Sequence, residues 1–237
     1  MLQKNNIKVF FMTAIMFLLF VVQLYSQKSK LQSSESHVLV NVYVKDLDNT
    51  PRPNERIIII AQATKGKYQR ISNEKGEFSL LLPKGDKYKI MYEDLGSEVD
   101  YSFLSIPSDS GLFTFEVNVR FENNIVQPLE NVTFENGKAD LTIESYPELN
   151  RLVDLMKRKP TMVIEIAGHT DNLGSSEDNM SLSQSRADSV RAYLTKCGIT
   201  ATRVYAKGYG DTEPIEENTS DEGRRQNRRA EVRILKE

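Results

Sequence analysis

The 237-residue chain carries 31 Lys and Arg against 33 Asp and Glu, a formal net charge of −2, so no global field draws it to nucleic acid or to an anionic membrane. A single cysteine, Cys197, excludes an intramolecular disulfide. With only His37 and His169 beside it, the chain lacks the donor set for a structural zinc or iron–sulfur site, so no metal and no cofactor is expected.

Lys4 and Lys8 precede an uncharged, apolar run from Val9 to Val22, which closes with Gln23-Leu24-Tyr25-Ser26-Gln27. This is the pattern of a secretory signal peptide over residues 1–26, with the small Ser26 at the cleavage position. No cysteine lies near its end, which closes the lipoprotein route. Retention as a membrane anchor is the alternative, because the run is near the lower length limit for a span. Cleavage would take away two lysines and no acids, leaving an exported protein of charge −4.

A polar linker, residues 27–35, follows. From there to residue 119 the pattern is that of short strands. Val38-Leu39-Val40-Asn41-Val42-Tyr43-Val44 alternates with period two. Arg56 to Ala63 contains four consecutive isoleucines, Phe78 to Leu82 and Tyr88 to Tyr92 are short apolar runs, and Phe113 to Val119 alternates again. The clusters Asp46 to Pro51, Asn73 to Gly76, Pro83 to Asp86 and Asp94 to Gly96 supply turns. About seven strands so punctuated predict an antiparallel β-sandwich over residues 36–119. A membrane barrel needs longer strands with an apolar outer face, and there is too little chain for one.

Residues 122–237 alternate strand with helix. A short strand is expected at Val132-Thr133-Phe134. Leu149, Leu152, Val153 and Met156 then recur at helical spacing between Pro147 and Lys159, and Pro160 stops that helix. Met162 to Ala167 is a buried strand, ending in the polar loop Gly168-His169-Thr170-Asp171-Asn172-Leu173-Gly174. Leu182, Ala187, Val190 and Leu194 mark the inner face of a helix from about Ser181 to Lys196, with Gly198 placed as its C-terminal cap. Val204 to Lys207 and Ala230 to Leu235 complete a two-layer α/β domain with helices on one face of a small sheet.

Two resemblances follow from these residues. The run from Ile71 to Ile90, with Asn73-Glu74-Lys75-Gly76 and Pro83-Lys84-Gly85-Asp86 between its apolar segments, resembles the carboxypeptidase-regulatory-like, or transthyretin-like, sandwich. That implies a spacer or interaction module. The stretch Ile164-Glu165-Ile166-Ala167-Gly168-His169-Thr170-Asp171-Asn172 and the later Asn179, Leu182-Ser183 and Arg186-Ala187 resemble the OmpA-like C-terminal domain. Gly208-Tyr209-Gly210, Pro214, Gly223-Arg224 and Asn227-Arg228-Arg229 extend the match in order and spacing, from about Leu129 to Leu235. This resemblance implies non-covalent binding of peptidoglycan through the meso-diaminopimelate of its stem peptide, at the outer membrane or in the periplasm. Asp171 and Arg186 fall on the positions that hold the diaminopimelate, Asn179 on the asparagine between them, and Asn227 and Arg228 on the late motif.

The residue types suit such a ligand. The free end of diaminopimelate is an ammonium beside a carboxylate. Asp171 is able to accept from the ammonium, while the planar guanidinium of Arg186 is able to clamp the carboxylate with two parallel bonds. Thr170, Asn172 and Asn179 are candidates for shaping the loop, Arg228 for supporting the carboxylate, and Asn227 for bonding ligand or loop backbone. The plain alternative for Asp171 and Arg186 is a structural ion pair with each other. His169 beside an aspartate could suggest a general base, but no nucleophile turn accompanies it. A hydrolase using Asp171 and Glu165 as acid and base is a rival, yet Glu165 on an alternating strand is expected to point elsewhere. A flagellar-stator component would resemble this chain only with an acid in its membrane helix, and residues 7–25 contain none. The remaining alternative is an adaptor whose sandwich binds an envelope protein, the OmpA-like half serving only as wall anchor.

Overall fold

The computed structural model describes residues 31–122, 125–135 and 137–237. The expected signal segment, residues 1–26, and the start of the expected linker lie outside them. Among the described residues no helix is long and apolar enough to cross a membrane.

β1 (His37–Lys45) carries Val38, Val40, Val42 and Val44 on one face, all fully buried, as its alternation predicts. It pairs antiparallel with β4 (Glu77–Pro83) and parallel with β7 (Thr114–Arg120), giving the order β4-β1-β7. A second sheet has the order β3-β2-β5-β6, built from β2 (Arg56–Ala61), β3 (Lys67–Ile71), β5 (Asp86–Asp94) and β6 (Ser97–Ile106), with every pairing antiparallel. The valines of β1, Ile57 and Ile59 of β2, Leu80 and Leu82 of β4, and Tyr88 and Ile90 of β5 form one core, so the two sheets share their apolar faces. Burial pushes the Tyr88 hydroxyl up to about 12, and it donates to the Pro83 carbonyl at 2.8 Å.

Two features depart from expectation here. The parallel pairing of β1 with β7 makes that sheet mixed rather than antiparallel. β3 and β6 lie outside the segments expected as strands; both are edge strands with mostly exposed side chains.

The remaining elements form a four-stranded sheet of order β10-β9-β11-β8. Its strands are β8 (Val126–Pro128), β9 (Val163–His169), β10 (Val204–Gly210) and β11 (Ala230–Lys236), and its helices α1 (Tyr146–Arg158), α2 (Ser176–Lys196) and α3 (Asp221–Asn227). Leu149, Leu152 and Met156 of α1 and Ala187, Val190 and Leu194 of α2 cover Ile164 and Ile166 of β9, Val204 of β10 and Val232 of β11. The segment expected as a strand at 132–134 contributes only an isolated bridge, Phe134 to Leu141, and the edge place beside β11 is taken by β8. α2 begins five residues earlier than its apolar spacing suggests, because Ser175 caps it by accepting from the Asp178 N–H at 3.1 Å.

α2 lies unusually close to its sheet. A Cβ on Gly168 of β9 would sit 2.3 Å from the Ser183 carbonyl oxygen, and one on Gly208 of β10 would sit 2.4 Å from the Gln184 nitrogen. Two glycines on adjacent strands therefore set the helix–sheet separation.

The two cores touch at a charged junction. Leu95, at the β5–β6 turn, packs into the core of the helical half, and Gly96 backs onto Arg151 of α1. Lys159, just past α1, donates to Glu55 at 2.8 Å and to Glu237 at 2.9 Å, while Arg52 also bonds Glu55 at 2.8 Å. Beside them, Glu93 of β5 receives Arg158 of α1 at 2.6 Å and Arg56 of β2 at 2.9 Å. Glu55, Glu93 and Lys159 are all buried.

Candidate functional site

β9 delivers the polar loop after it to the edge of the sheet. Its last residue, His169, donates its N–H to the Arg229 carbonyl at 2.9 Å, and the Thr170 N–H donates to the Gly210 carbonyl at 2.9 Å, so the backbone is tied to both neighbouring strands before the chain turns. Asp171 follows, 6% exposed. One of its carboxylate oxygens accepts from the Leu173 N–H at 3.1 Å, and the other pairs with Arg228 Nη1 at 2.5 Å. The carboxylate is thus held by the turn behind it and by the residue that caps α3.

The first turn of α2 closes the loop from the other side. Asn179 is buried, and its Nδ2 donates to the Asp171 carbonyl at 3.2 Å. Ser183, one turn on, accepts from the Gly210 N–H at 2.9 Å and donates to the Met180 carbonyl at 2.9 Å, locking helix to strand end. Arg186 lies on the same helix. Its Nε donates to the Lys138 carbonyl at 3.1 Å, and its guanidinium stands 5.2 Å from the centroid of the Phe134 ring. Burial, and next the neighbouring positive charge of Arg228, push Arg186 below the usual arginine value, with Asp171 opposing them. Asp171, Arg186 and Arg228 therefore lie within one another's field, and the sum is one net positive charge. Among the described residues no ion pair joins Asp171 to Arg186; the acid is paired with Arg228 instead.

Thr170 is 4% exposed, and its hydroxyl has no protein partner among the described residues. A buried hydroxyl in that state is costly unless something bonds to it. Asn172 is exposed at the loop tip. Asn227 is fully buried and spends its side chain on the 215–218 loop: the oxygen accepts from the N–H groups of Ile215 and Glu216, and the nitrogen donates to the Glu216 carbonyl and the Asn218 side chain. Of the two roles weighed for it, the contacts are those of a loop builder. Arg229 likewise turns inward, onto Glu231 at 2.7 Å.

His169 is 1% exposed and stacks on Tyr209, centroids 5.3 Å apart, with its Nε2 3.4 Å from Glu231. Glu165 accepts from the Tyr209 hydroxyl at 2.8 Å. Both side chains belong to the sheet cluster around Tyr209 and Arg233, so neither is paired with Asp171. Sequence reasoning missed Phe134 and the Lys138 carbonyl as partners of Arg186. A backbone oxygen carries no residue signature, and the run Val132-Thr133-Phe134 reads as a strand.

Residues 133–228 match the OmpA family. The outer membrane porin F of Pseudomonas fluorescens is 38% identical over 104 residues, which are 44% of this chain and 32% of that protein. The peptidoglycan-binding protein ArfA of Mycobacterium tuberculosis is 39% identical over 101 residues, 43% of this chain and 31% of that protein. The crystal structure of the peptidoglycan-associated lipoprotein from Burkholderia pseudomallei is 29% identical, covering 44% of this chain and 88% of that one, with a TM-score of 0.42. The chain spans between 13% and 53% of the length of the curated relatives it matches. The helical half of this protein, over residues 133–228, is an OmpA-family domain.

Proposed function

We propose that the protein binds peptidoglycan without catalysis, through the free zwitterionic end of meso-diaminopimelate, and so fastens an exported envelope protein to the cell wall. The observation that carries this reading is the arrangement at the end of β9: one carboxylate, Asp171, paired with Arg228 and within the field of Arg186, beside the hydroxyl of Thr170, which has no partner among the described residues. An ammonium next to a carboxylate matches that pattern of charge. Asp171 takes the ammonium, Arg186 the carboxylate, and Arg228 moves from Asp171 to support the carboxylate. Thr170 contributes the hydrogen bond it otherwise lacks. Asn179 and Asn172 hold and edge the loop, and Asn227 builds the adjoining 215–218 loop.

Nothing in the arrangement provides an acid–base pair, since Glu165 and His169 are committed elsewhere. Relatives named for the outer membrane and for peptidoglycan binding support an envelope location. Residues 1–26 act as the export signal and residues 27–35 as a linker. Residues 36–119 form a transthyretin-like β-sandwich domain, which is available to a protein partner, and residues 122–237 form the wall-binding domain.

Charge-assisted hydrogen bonds contribute about 1.5–3 kcal/mol each. Two or three of them with a few neutral bonds give micromolar-class affinity, roughly −8 kcal/mol. The test is co-sedimentation of the purified protein with diaminopimelate-type sacculi, wild type against folded Asp171→Ala and Arg186→Ala variants. Pelleting that is lost in both variants supports the clamp, each removal costing on the order of 2–5 kcal/mol. Wild type left in the supernatant, or variants that pellet equally, rejects it.

A further inference from the structure

Arg186 does not stand free on α2. Its Nε is bonded to the Lys138 carbonyl at 3.1 Å, and its guanidinium carbon lies over the Phe134 ring, 5.2 Å from the centroid. Both supports come from outside α2 and from the same short stretch of chain. That stretch is itself braced: Phe134 bridges to Leu141, the Glu135 N–H donates to the Asp140 carbonyl at 2.9 Å, and the Lys138 N–H donates to the Glu135 carbonyl at 2.9 Å. Phe134 is half-buried and packs against the core of the helical half, so the platform is anchored to the domain rather than to solvent.

A guanidinium offers five N–H donors in one plane, and it is able to meet a carboxylate side-on, through Nε and one Nη, or end-on, through both Nη groups. The Lys138 carbonyl occupies the Nε–H and closes the side-on approach. We infer that Phe134 and the Lys138 carbonyl preset Arg186 as an end-on fork for a carboxylate, with Phe134 as a positioning residue of the binding site. This deepens the peptidoglycan reading above and rests on it for the ligand, though the presetting is a property of the free protein. Side chains of arginine lose much rotamer freedom when they bind, and holding the plane in advance removes part of that cost. A ring under the cation also favours the charge that the ligand needs.

The experiment compares wild type with Phe134→Leu and Phe134→Tyr by NMR of the Arg186 Nε–H and by titration with a soluble muropeptide that contains meso-diaminopimelate. In the free wild type, the Arg186 Nε–H is expected to be protected from solvent exchange and shifted by the ring. Phe134→Leu should speed that exchange and weaken muropeptide binding about fivefold, the scale of one cation–π contact, while Phe134→Tyr restores both. Backbone shifts of β9 and α2 stay in place if the effect is positional and not a loss of fold. A fast-exchanging, unshifted Nε–H in free wild type overturns the inference even if Phe134→Leu fails to fold. So does Phe134→Leu binding as tightly as wild type. Absence of binding by wild type with the Nε–H protected counts against the peptidoglycan reading and leaves the preset fork standing.

Discussion

Glu231 on β11 shows how single residues beside the site are balanced. Burial by itself would raise its carboxyl, but bonds from Arg229 at 2.7 Å and Arg233 at 3.0 Å, with His169 close by, outweigh that and hold it down at about 2 instead of 4.5. A carboxyl depressed in the folded state stabilises fully above its unfolded value and loses that contribution as pH falls through its folded one. Glu231 should therefore contribute about 1–3 kcal/mol at neutral pH, with solvent screening allowed for, and lose it between pH 4.5 and about 2. Urea melts of wild type and Glu231→Gln at pH 7 and pH 3 check this. The difference between the two proteins should shrink at the lower pH, and equal differences at both would refute the assignment. The sequence could not show this pairing, because the partners of Glu231 are fixed by the β11 pleat and the loop at Glu213. The sequence motif did name Asp171, Thr170, Asn179, Arg186 and Arg228, and these fall around one loop. It said nothing of the Asp171–Arg228 pair, because which guanidinium reaches the acid depends on where α3 ends.

At the scale of elements, the site exists because α2 rests almost on the sheet. Gly168 and Gly208 leave no side chain between β9, β10 and the helix, so Ser183 reaches the Gly210 N–H, and Asn179 reaches the Asp171 carbonyl. Gly168→Ala should force α2 outward, since the added carbon meets a backbone oxygen that has no rotamer to relieve it. The expected cost is about 1–3 kcal/mol of stability, and sacculus pelleting should weaken because Arg186 moves with the helix. Calorimetry and co-sedimentation on the same variant read both effects; an unchanged melting temperature would show that the helix yields freely. Much of this element pattern was legible in advance. The alternation of β1 and the apolar face of α1 are strong because each buries one side, β9 reads as a short continuous buried run, and α2 shows only a narrow stripe, with Ala187, Val190 and Leu194 its buried apolar residues. β3, β6 and α3 were not legible. The two strands are exposed edges, and α3 is a single short helix held by its Ser220 cap, the Gly223 N–H donating to Ser220 Oγ at 3.0 Å, with only Gly223 and Asn227 buried.

The whole molecule is joined where its two cores meet, and no local sequence pattern announces that junction. Glu55, Glu93 and Lys159 look like solvated charges in the sequence, and they become buried, with Arg158 half-buried beside them, only because Leu95 plugs the second core and brings β2 and β5 against the end of α1. Buried ion pairs contribute little net stability compared with apolar contacts, but removing one partner is expensive because the other is left desolvated. Lys159→Met should accordingly cost on the order of 3–5 kcal/mol at the junction, with Arg52 remaining as the neighbour of Glu55 and reducing the loss toward the lower figure. The same variant distinguishes a coupled molecule from two independent halves. In wild type, amides of β1 and of α2 followed through a urea series should lose protection at one midpoint; in Lys159→Met the two midpoints should separate, the less stable half opening first. Adding Glu55→Gln removes the stranded charge and should bring the midpoints part of the way back together, a coupling that single substitutions at unrelated sites do not produce. Midpoints that coincide in all three proteins would mean that the junction charges do not govern cooperativity. Midpoints that already differ in wild type would mean that the halves unfold separately, and that a partner held by the β-rich half is not rigidly placed relative to the wall.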